Sequence, residues 1–352
     1  MKKLRAAIIG LGVGERHIDG YARCPEVELA ALCDFSEAKL KEVGARYPGL
    51  HLVKSAEEIL DDPCIDVVSI ATYDNHHFAQ VSRAIRQGKH VFVEKPLCLH
   101  ETEAVEIRKL LDENPKVRLS SNLILRQSPR FKLLREWIRS GKLGRLFHLE
   151  GDYEYGRLEK LTQGWRGKLD FYSVVHGGAV HVIDLLLWLT GDEVVEVTAY
   201  GNDFCTRGSP FRHNDFVAAL LKFRSGLVGK VTVNFGCVHP HYHDVKVYGT
   251  QATFVNGMKE GLLFESRDPN VAPKTVDAVY PGIDKGGLIA SFIGSIFGDG
   301  PPEVSAEDVF RVMSVCFAVE ESARRNAPVT VDYISGRADH EKHSIRQAHS
   351  RR

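Results

Sequence analysis

Through its N-terminal third the chain alternates short, continuously apolar runs with helix-length amphipathic stretches. Strands covered on both faces read as unbroken apolar runs, and joining them in parallel takes a crossover helix each time. The pattern therefore demands a doubly wound parallel sheet. The predicted strands are residues 5–9, 27–33, 67–71, 90–93 and 118–121; the predicted helices are 15–23, 36–47, 56–61, 78–87 and 101–114. Ligands of such sheets bind beyond the carboxyl ends of the strands.

The first of those ends carries Gly10-Leu11-Gly12-Val13-Gly14, between the apolar run 6–9 and a helix starting at Glu15. A backbone that approaches a pyrophosphate needs residues without side chains, and the helix that follows offers N–H groups and a positive dipole end. The third glycine of GxGxxG is missing: Glu15 stands there and Gly14 comes one place early. An ordinary tight turn would also favour glycine. Asp34, at the end of the second strand, stands where a carboxylate hydrogen-bonds the adenosine ribose. A 2′-phosphate would face like charge there, costing about 1 kcal/mol at about 4 Å in water, so NAD is favoured over NADP. The alternative makes Asp34 a cap for helix 36–47.

His90-Val91-Phe92-Val93-Glu94-Lys95-Pro96 sets a lysine at the same sheet edge. Glu94 and Lys95 face opposite ways, and Pro96 ends the strand by removing a ladder donor. A lysine there can stabilise negative charge developing on a substrate oxygen, although surface lysines are common.

After Asn122 the rhythm changes. A helix at 129–140 leads to a strand at 146–155, a glycine- and aromatic-rich loop and a strongly apolar helix at 181–189. Strands at 216–223 and 229–235 follow, joined at Arg224-Ser225-Gly226, with the alternation of an antiparallel sheet covered on one face. Ser305, with Asp308 three residues on, opens a last helix at 306–325. The predicted fold class is α/β, a Rossmann-type parallel sheet (residues 1–122) followed by an α+β domain with a large, mostly antiparallel open-faced sheet (123–334). The charged, histidine-rich stretch 335–352 is expected to be disordered.

Forty-six basic and 46 acidic residues cancel in this 352-residue chain, which argues against nucleic-acid and membrane partners. No apolar run nears the roughly 20 residues of a spanning helix, and Met-Lys-Lys-Leu-Arg leads straight into a strand. Seven scattered cysteines without a CxxC pair favour a reducing cytoplasm. A sheet face rich in Val and Phe needs a cover, and self-association as a homodimer or homotetramer is the expected one.

In the second domain Gly177-Gly178 allows close backbone approach, and a helix beginning near His181 would hold that imidazole neutral and able to accept a proton. The alternative buries His181 with Asp184 as its partner. Tyr153, Tyr155, Arg157 and Trp165 suit a sugar, whose C–H faces pack on aromatic rings, or they are simply aromatics of a half-buried surface. His239, His241 and His243 share period two, but Pro240 weakens a central strand and no fourth ligand is evident, so no metal is expected.

These residues together resemble the Gfo/Idh/MocA family of NAD(P)-dependent sugar and polyol oxidoreductases. The resemblance rests on the glycine loop, Ile70-Ala71-Thr72 with His77, Gly88-Lys89-His90-Val91 and Glu94-Lys95-Pro96. It continues through Asn122, Arg126, Gly141-Lys142-Leu143-Gly144, Trp165-Arg166, His181 to Asp184, Tyr248-Gly249-Thr250 and Pro328-Val329, nearly the whole chain. It implies NAD held by Gly10, Gly12, Val13, Gly14, Asp34, Ala71, Thr72, His77, Glu94 and Lys95. It also implies a carbohydrate substrate met by Arg126, Tyr153, Trp165, Arg166, His181 and Asp184, with Lys95 and His181 working on one hydroxyl. The family's usual aspartate four residues before the histidine is replaced here by Gly177, with His176 beside it either as a proton relay or packed on the nicotinamide. The expected reaction is hydride transfer between NAD and a ring hydroxyl carbon. The alternatives are an enzyme that retains its cofactor through a transient oxidation, and a noncatalytic NAD-binding sensor.

Overall fold

The computed structural model describes residues 3–336. The described residues form two compact units: 3–122 with Lys285–Arg311 and 333–336, and Leu123–Asp284 with Val312–Asp332. The stretch expected to be disordered lies, from residue 337 on, outside the described residues.

The first unit is a six-stranded, all-parallel sheet in the order β3-β2-β1-β4-β5-β6. Its strands are β1 Leu4–Ile9, β2 Val27–Cys33, β3 His51–Val53, β4 Val67–Ile70, β5 His90–Val93 and β6 Leu119–Ser121. The crossovers carry α1 Glu15–Ala22, α2 Glu37–Arg46, α3 Ala56–Leu60, α4 Asp74–Arg86 and α5 Glu101–Glu113. This is the predicted doubly wound class, with strand order reversing between β1 and β4, the position at which such sheets open a ligand crevice. Val67, Val68, Val91, Phe92 and Val93 are fully buried, as their unbroken apolar runs require. Two elements differ from the sequence reading. β3 is a three-residue edge strand, exposed at His51 and Leu52, too short and polar to register as a run. Helix α4 starts at Asp74 instead of residue 78, because Asp74 at its positive end suits a first turn that no apolar residue marks, and His77 lies inside the helix.

Residues 285–311, which composition places with the second domain, pack on this first sheet. They contain α9 Ile289–Phe297 and the start of α10 Ala306–Arg325. The Phe92 and Phe292 rings lie 5.7 Å apart, and Ser120 Oγ donates to the Val304 carbonyl at 2.8 Å. A Cβ on Gly20 would sit 2.6 Å from the Gly286 carbonyl oxygen, so α1 admits this segment only through a glycine. Ser305 and Asp308 exchange hydrogen bonds in a reciprocal cap at the start of α10.

The second unit is a nine-stranded sheet, β14-β13-β12-β11-β7-β10-β9-β8-β15, antiparallel except for the β7–β10 pair. Its strands are β7 Leu146–Glu154, β8 Val194–Asn202, β9 Phe216–Phe223, β10 Val228–Asn234, β11 Tyr242–Gly249, β12 Thr253–Val255, β13 Gly261–Phe264, β14 Lys274–Val276 and β15 Val329–Thr330. Helices α6 Pro129–Arg139, α7 Glu159–Thr162 and α8 Val180–Thr190 complete it. Gly151 lets Val182 and Leu186 of α8 close onto β7, giving the sheet one covered face. The other face carries an ionic lattice in which Lys230 Nζ meets Glu150 at 2.7 Å and Asp152 at 3.0 Å. No helix of the described residues is long and apolar enough to cross a membrane.

Candidate active-site residues

In the first unit the glycine turn lies at the switch point between β1 and β4. Gly10 has φ +90°, and a Cβ on it would stand 2.4 Å from the Ala71 carbonyl oxygen. A Cβ on Gly14 would strike the Gly10 carbonyl at 2.1 Å, so both glycines are required by close backbone approach. Gly12 differs: nothing lies within 4 Å of where its Cβ would be, which leaves a bare stretch of backbone open to a phosphate. Asp34 Oδ2 accepts from the Leu11 amide at 2.8 Å and Oδ1 from the Ser36 amide at 2.9 Å. Ser36, not Asp34, caps α2, through Lys39 N at 3.3 Å. Glu15, the residue in place of the third glycine, turns to α2 and pairs with Lys39 at 2.9 Å and Arg46 at 2.7 Å. Hydrogen bonds from Arg46 and then Lys39 hold its carboxyl below the usual range, and the same two cations offset its charge beside the turn. The exposed rings of Phe35 and Tyr73, which follow Asp34 and Thr72 directly, stand 5.9 Å apart at this edge. An open glycine backbone, a carboxylate and an aromatic pair together fit an adenine dinucleotide.

Glu94 and Lys95 follow β5. Burial raises the Glu94 carboxyl, but hydrogen bonds from His17 and Asn122 and the charges of His17 and Lys95 outweigh it and bring it down to about 2. His17 Nε2 lies 3.3 Å from Glu94 Oε1, and Asn122 Nδ2 donates to that oxygen at 2.7 Å and to the Lys285 carbonyl at 3.0 Å. Buried His17, on α1, thus ties the glycine turn's helix to the residue before Lys95. His77 Nδ1 is 2.6 Å from the Pro96 carbonyl and its Nε2 3.3 Å from that of Thr72, so it joins the loops after β4 and β5.

In the second unit His181 is one of the few α8 residues not fully buried. The helix does not begin there: a π-turn, Val175–Ala179, precedes α8, and Ser173 Oγ accepts from the amides of Val175 and His176 at 3.1 and 3.3 Å. The helical path into α8, which starts at Val180, therefore opens near Val175, ahead of His181. Gly177 and Gly178 lie inside the wider π-turn that leads into α8. A Cβ on Gly177 would lie 1.9 Å from the Tyr172 hydroxyl oxygen, and one on Gly178 2.9 Å from the Tyr153 ring. Tyr153 stacks on His181, centroids 5.9 Å apart at 16°. Burial, followed by the neighbouring phenols Tyr155 and Tyr172, pushes the Tyr153 hydroxyl far up, with Arg166 and Arg157 opposing. Arg166 Nε donates to the Tyr172 hydroxyl at 2.9 Å, and its guanidinium lies 4.5 Å from the centre of the Trp165 ring.

Arg126 and Asp184 form a bidentate pair, Nε–Oδ2 3.0 Å and Nη2–Oδ1 2.6 Å, both deeply buried. Asp184 is thus paired with Arg126. Buried His176 sits edge-on to Phe317 at 5.2 Å and to Phe171 at 6.2 Å. The three histidines of the HPHYH run do not share one face: β11 starts only at Tyr242, His239 packs by Tyr242, and His241 and His243 lie against Tyr153 at 5.1 and 5.4 Å. His243 Nδ1 is 2.7 Å from the Tyr280 hydroxyl, and burial with the charge of His241 brings its pKa down to about 3. Among the described residues no group of three His, Cys, Asp or Glu is arranged to hold a metal.

Sequence reasoning missed His17, Phe35, Tyr73, Tyr172 and Tyr280. Phe35 carried a usable signal, an aromatic placed directly after a strand-ending carboxylate; the others depend on packing that no local pattern encodes.

A family model described as an oxidoreductase family with an NAD-binding Rossmann fold matches residues 4–122, and the GFO/IDH/MocA C-terminal domain matches residues 131–255. The myo-inositol 2-dehydrogenase of Thermotoga maritima is 25% identical, over 95% of this chain and 100% of its own. The inositol 2-dehydrogenase of Mycolicibacterium smegmatis is 27% identical, over 95% and 98%. Among solved structures, a levoglucosan dehydrogenase in complex with NADH and L-sorbose shares the fold, with TM-score 0.83 and 23% identity over 95% of this chain and 100% of that one.

Proposed function

Because this chain belongs to the Gfo/Idh/MocA family of oxidoreductases and carries its NAD-binding Rossmann fold, we propose that it interconverts a ring hydroxyl and a ketone on a cyclic polyol or sugar, using NAD. The observation that carries this reading is the carboxyl edge of the first sheet, where the open backbone at Gly12, the Asp34 carboxylate and Lys95 follow β1, β2 and β5. Full-length similarity to two inositol dehydrogenases supports the substrate class.

In this reading Gly10, Gly12, Val13, Gly14, Ala71, Thr72 and His77 shape the cofactor site, and Asp34 selects the ribose without a 2′-phosphate. NAD, when bound, accepts the hydride. His181 takes the proton of the reacting hydroxyl at an imidazole nitrogen, and Lys95 stabilises the oxygen as negative charge gathers on it. Glu94, the residue before Lys95, is held ionised by His17 and Asn122. Tyr153, Trp165 and Arg166 line the sugar's side, Arg126 and Asp184 brace the helix that carries His181, and His176 packs behind it. The first unit serves the cofactor and the second the substrate.

We further propose a homodimer or homotetramer formed through the outer face of the nine-stranded sheet, where Phe147, Tyr200, Leu220 and Val228 are exposed. A cytoplasmic site of action suits seven cysteines without a disulfide. NADH formation from myo-inositol and from levoglucosan tests the activity. Parent protein should reduce NAD with at least one of them, and Lys95→Ala and His181→Ala should lose about a hundredfold or more in kcat. Variants as fast as the parent would refute the assignment.

A further inference from the structure

The Tyr172 hydroxyl fills the space into which a side chain at 177 would project, about one helical turn before His181. Three features make it a built position. Arg166 Nε donates to the phenol oxygen at 2.9 Å, fixing where that oxygen lies. The Tyr172 ring is itself held, edge-on to Trp165 at 6.1 Å and to Phe211 at 6.1 Å, and the residue is 1% exposed. The glycine that admits the hydroxyl is followed by a second glycine that admits Tyr153, the ring stacked on His181. The two glycines thus bring one phenol oxygen and one phenol ring to the helix carrying the imidazole.

A buried phenol clamped by a guanidinium costs conformational freedom and desolvates two polar groups, so packing alone gives little reason for it; Phe would fill the same volume. Unlike a carboxylate, a phenol is uncharged near neutral pH and can donate as well as accept. We propose that Tyr172 is a further catalytic residue: its hydroxyl hydrogen-bonds the reacting substrate oxygen beside His181. This rests on the dehydrogenase reading above. In the oxidation the C–H bond breaks with its electron pair passing to NAD as hydride, the O–H proton passes to His181, and the C=O bond forms; Tyr172 keeps its own proton throughout. Arg166 positions the phenol and touches no reacting atom.

The test is Tyr172→Phe in the full chain with NAD and with myo-inositol and levoglucosan as probes. The variant keeps the ring contacts, so its melting temperature and its NAD affinity should match the parent's. The inference expects kcat to fall by about ten- to a hundredfold, with KM changed far less. The primary isotope effect with substrate deuterated at the reacting carbon should rise, because hydride transfer becomes slower than cofactor release. A merely structural tyrosine would leave the isotope effect alone. Parent-like kcat and isotope effect in folded Tyr172→Phe overturn the inference and leave the dehydrogenase reading intact. A parent chain that forms no NADH from either probe overturns both. Should Tyr172→Phe not fold, Gly177→Ala decides: displacing the hydroxyl should produce the same fall in kcat and rise in isotope effect, and parent-like kinetics there overturn the inference.

Discussion

The Leu11 amide donates to Asp34 across 2.8 Å, so one carboxylate fastens the glycine turn after β1 to the end of β2. Asp34 therefore organises the loop in addition to its proposed contact with the ribose. Asp34→Asn separates the two roles in part, since its amide oxygen can still accept from Leu11 while the charge, and the acceptor for the Ser36 amide, are gone. The NAD:NADP ratio of dissociation constants should move toward NADP by about tenfold, or about 1.4 kcal/mol, with a smaller fall in melting temperature than Asp34→Ala. Asp34→Ala should shift it similarly and also lower the melting temperature. Titration of both cofactors against each variant measures this, and an unaltered ratio in Asp34→Asn would sink the ribose assignment.

Arg126 and Asp184 are buried opposite charges, so removing one takes from the other its bidentate partner. Asp184→Ala should destabilise the protein by about 3–5 kcal/mol in denaturant unfolding. Arg126→Met/Asp184→Leu, which removes both charges, should recover most of that loss. If Asp184 mainly served substrate, its loss would raise KM and leave the unfolding midpoint in place.

The N-terminal sheet was legible because its signals are local: unbroken apolar runs gave the strands, and Gly10 and Gly14 stand where backbone meets backbone. What escaped was set by distance in the chain or by polarity. β3 has three residues, two of them exposed, and α4 opens with Asp-Asn-His-His, which no apolar period marks. At Gly177-Gly178 the sequence offered room for close backbone approach, whereas the Tyr172 and Tyr153 side chains occupy the space the glycines leave, within a π-turn. Likewise, nothing near Glu94 in sequence announces His17, 77 residues away. Residue types at the site could be read from the sequence; their partners could not.

Acid should weaken the second unit before the first. His243 titrates near 3 in the folded protein against an ordinary 6.5, so the unfolded chain takes up its proton first. Its contribution is complete above pH 6.5 and is lost as pH falls toward 3, by up to about 1.4 kcal/mol per pH unit. Glu94, brought from 4.5 to about 2, loses its contribution only below 4.5. His243→Gln should flatten the upper part of the acid unfolding curve, and Glu94→Gln only the lower part. Chemical denaturation across that range measures both slopes, and a parent curve level from pH 6.5 to 4.5 would contradict the burial of His243.

Glu320 runs the other way. It lies on α10 with Ser173 Oγ donating to its carboxylate at 2.5 Å, and burial, which that hydrogen bond only partly opposes, pushes its pKa above 4.5. A raised carboxyl favours the folded state fully below 4.5; as pH climbs, the unfolded chain ionises first and that advantage is lost through the folded pKa. Glu320→Gln, neutral at every pH and still offering an oxygen to Ser173, should match the parent's melting temperature in mild acid and exceed it increasingly toward neutrality. Because Ser173 also caps the π-turn before His181, the substitution should leave kcat for myo-inositol near the parent value. Melting curves for the pair in matched buffers decide it: a constant offset between them, independent of pH, would mean that burial does not raise the Glu320 carboxyl.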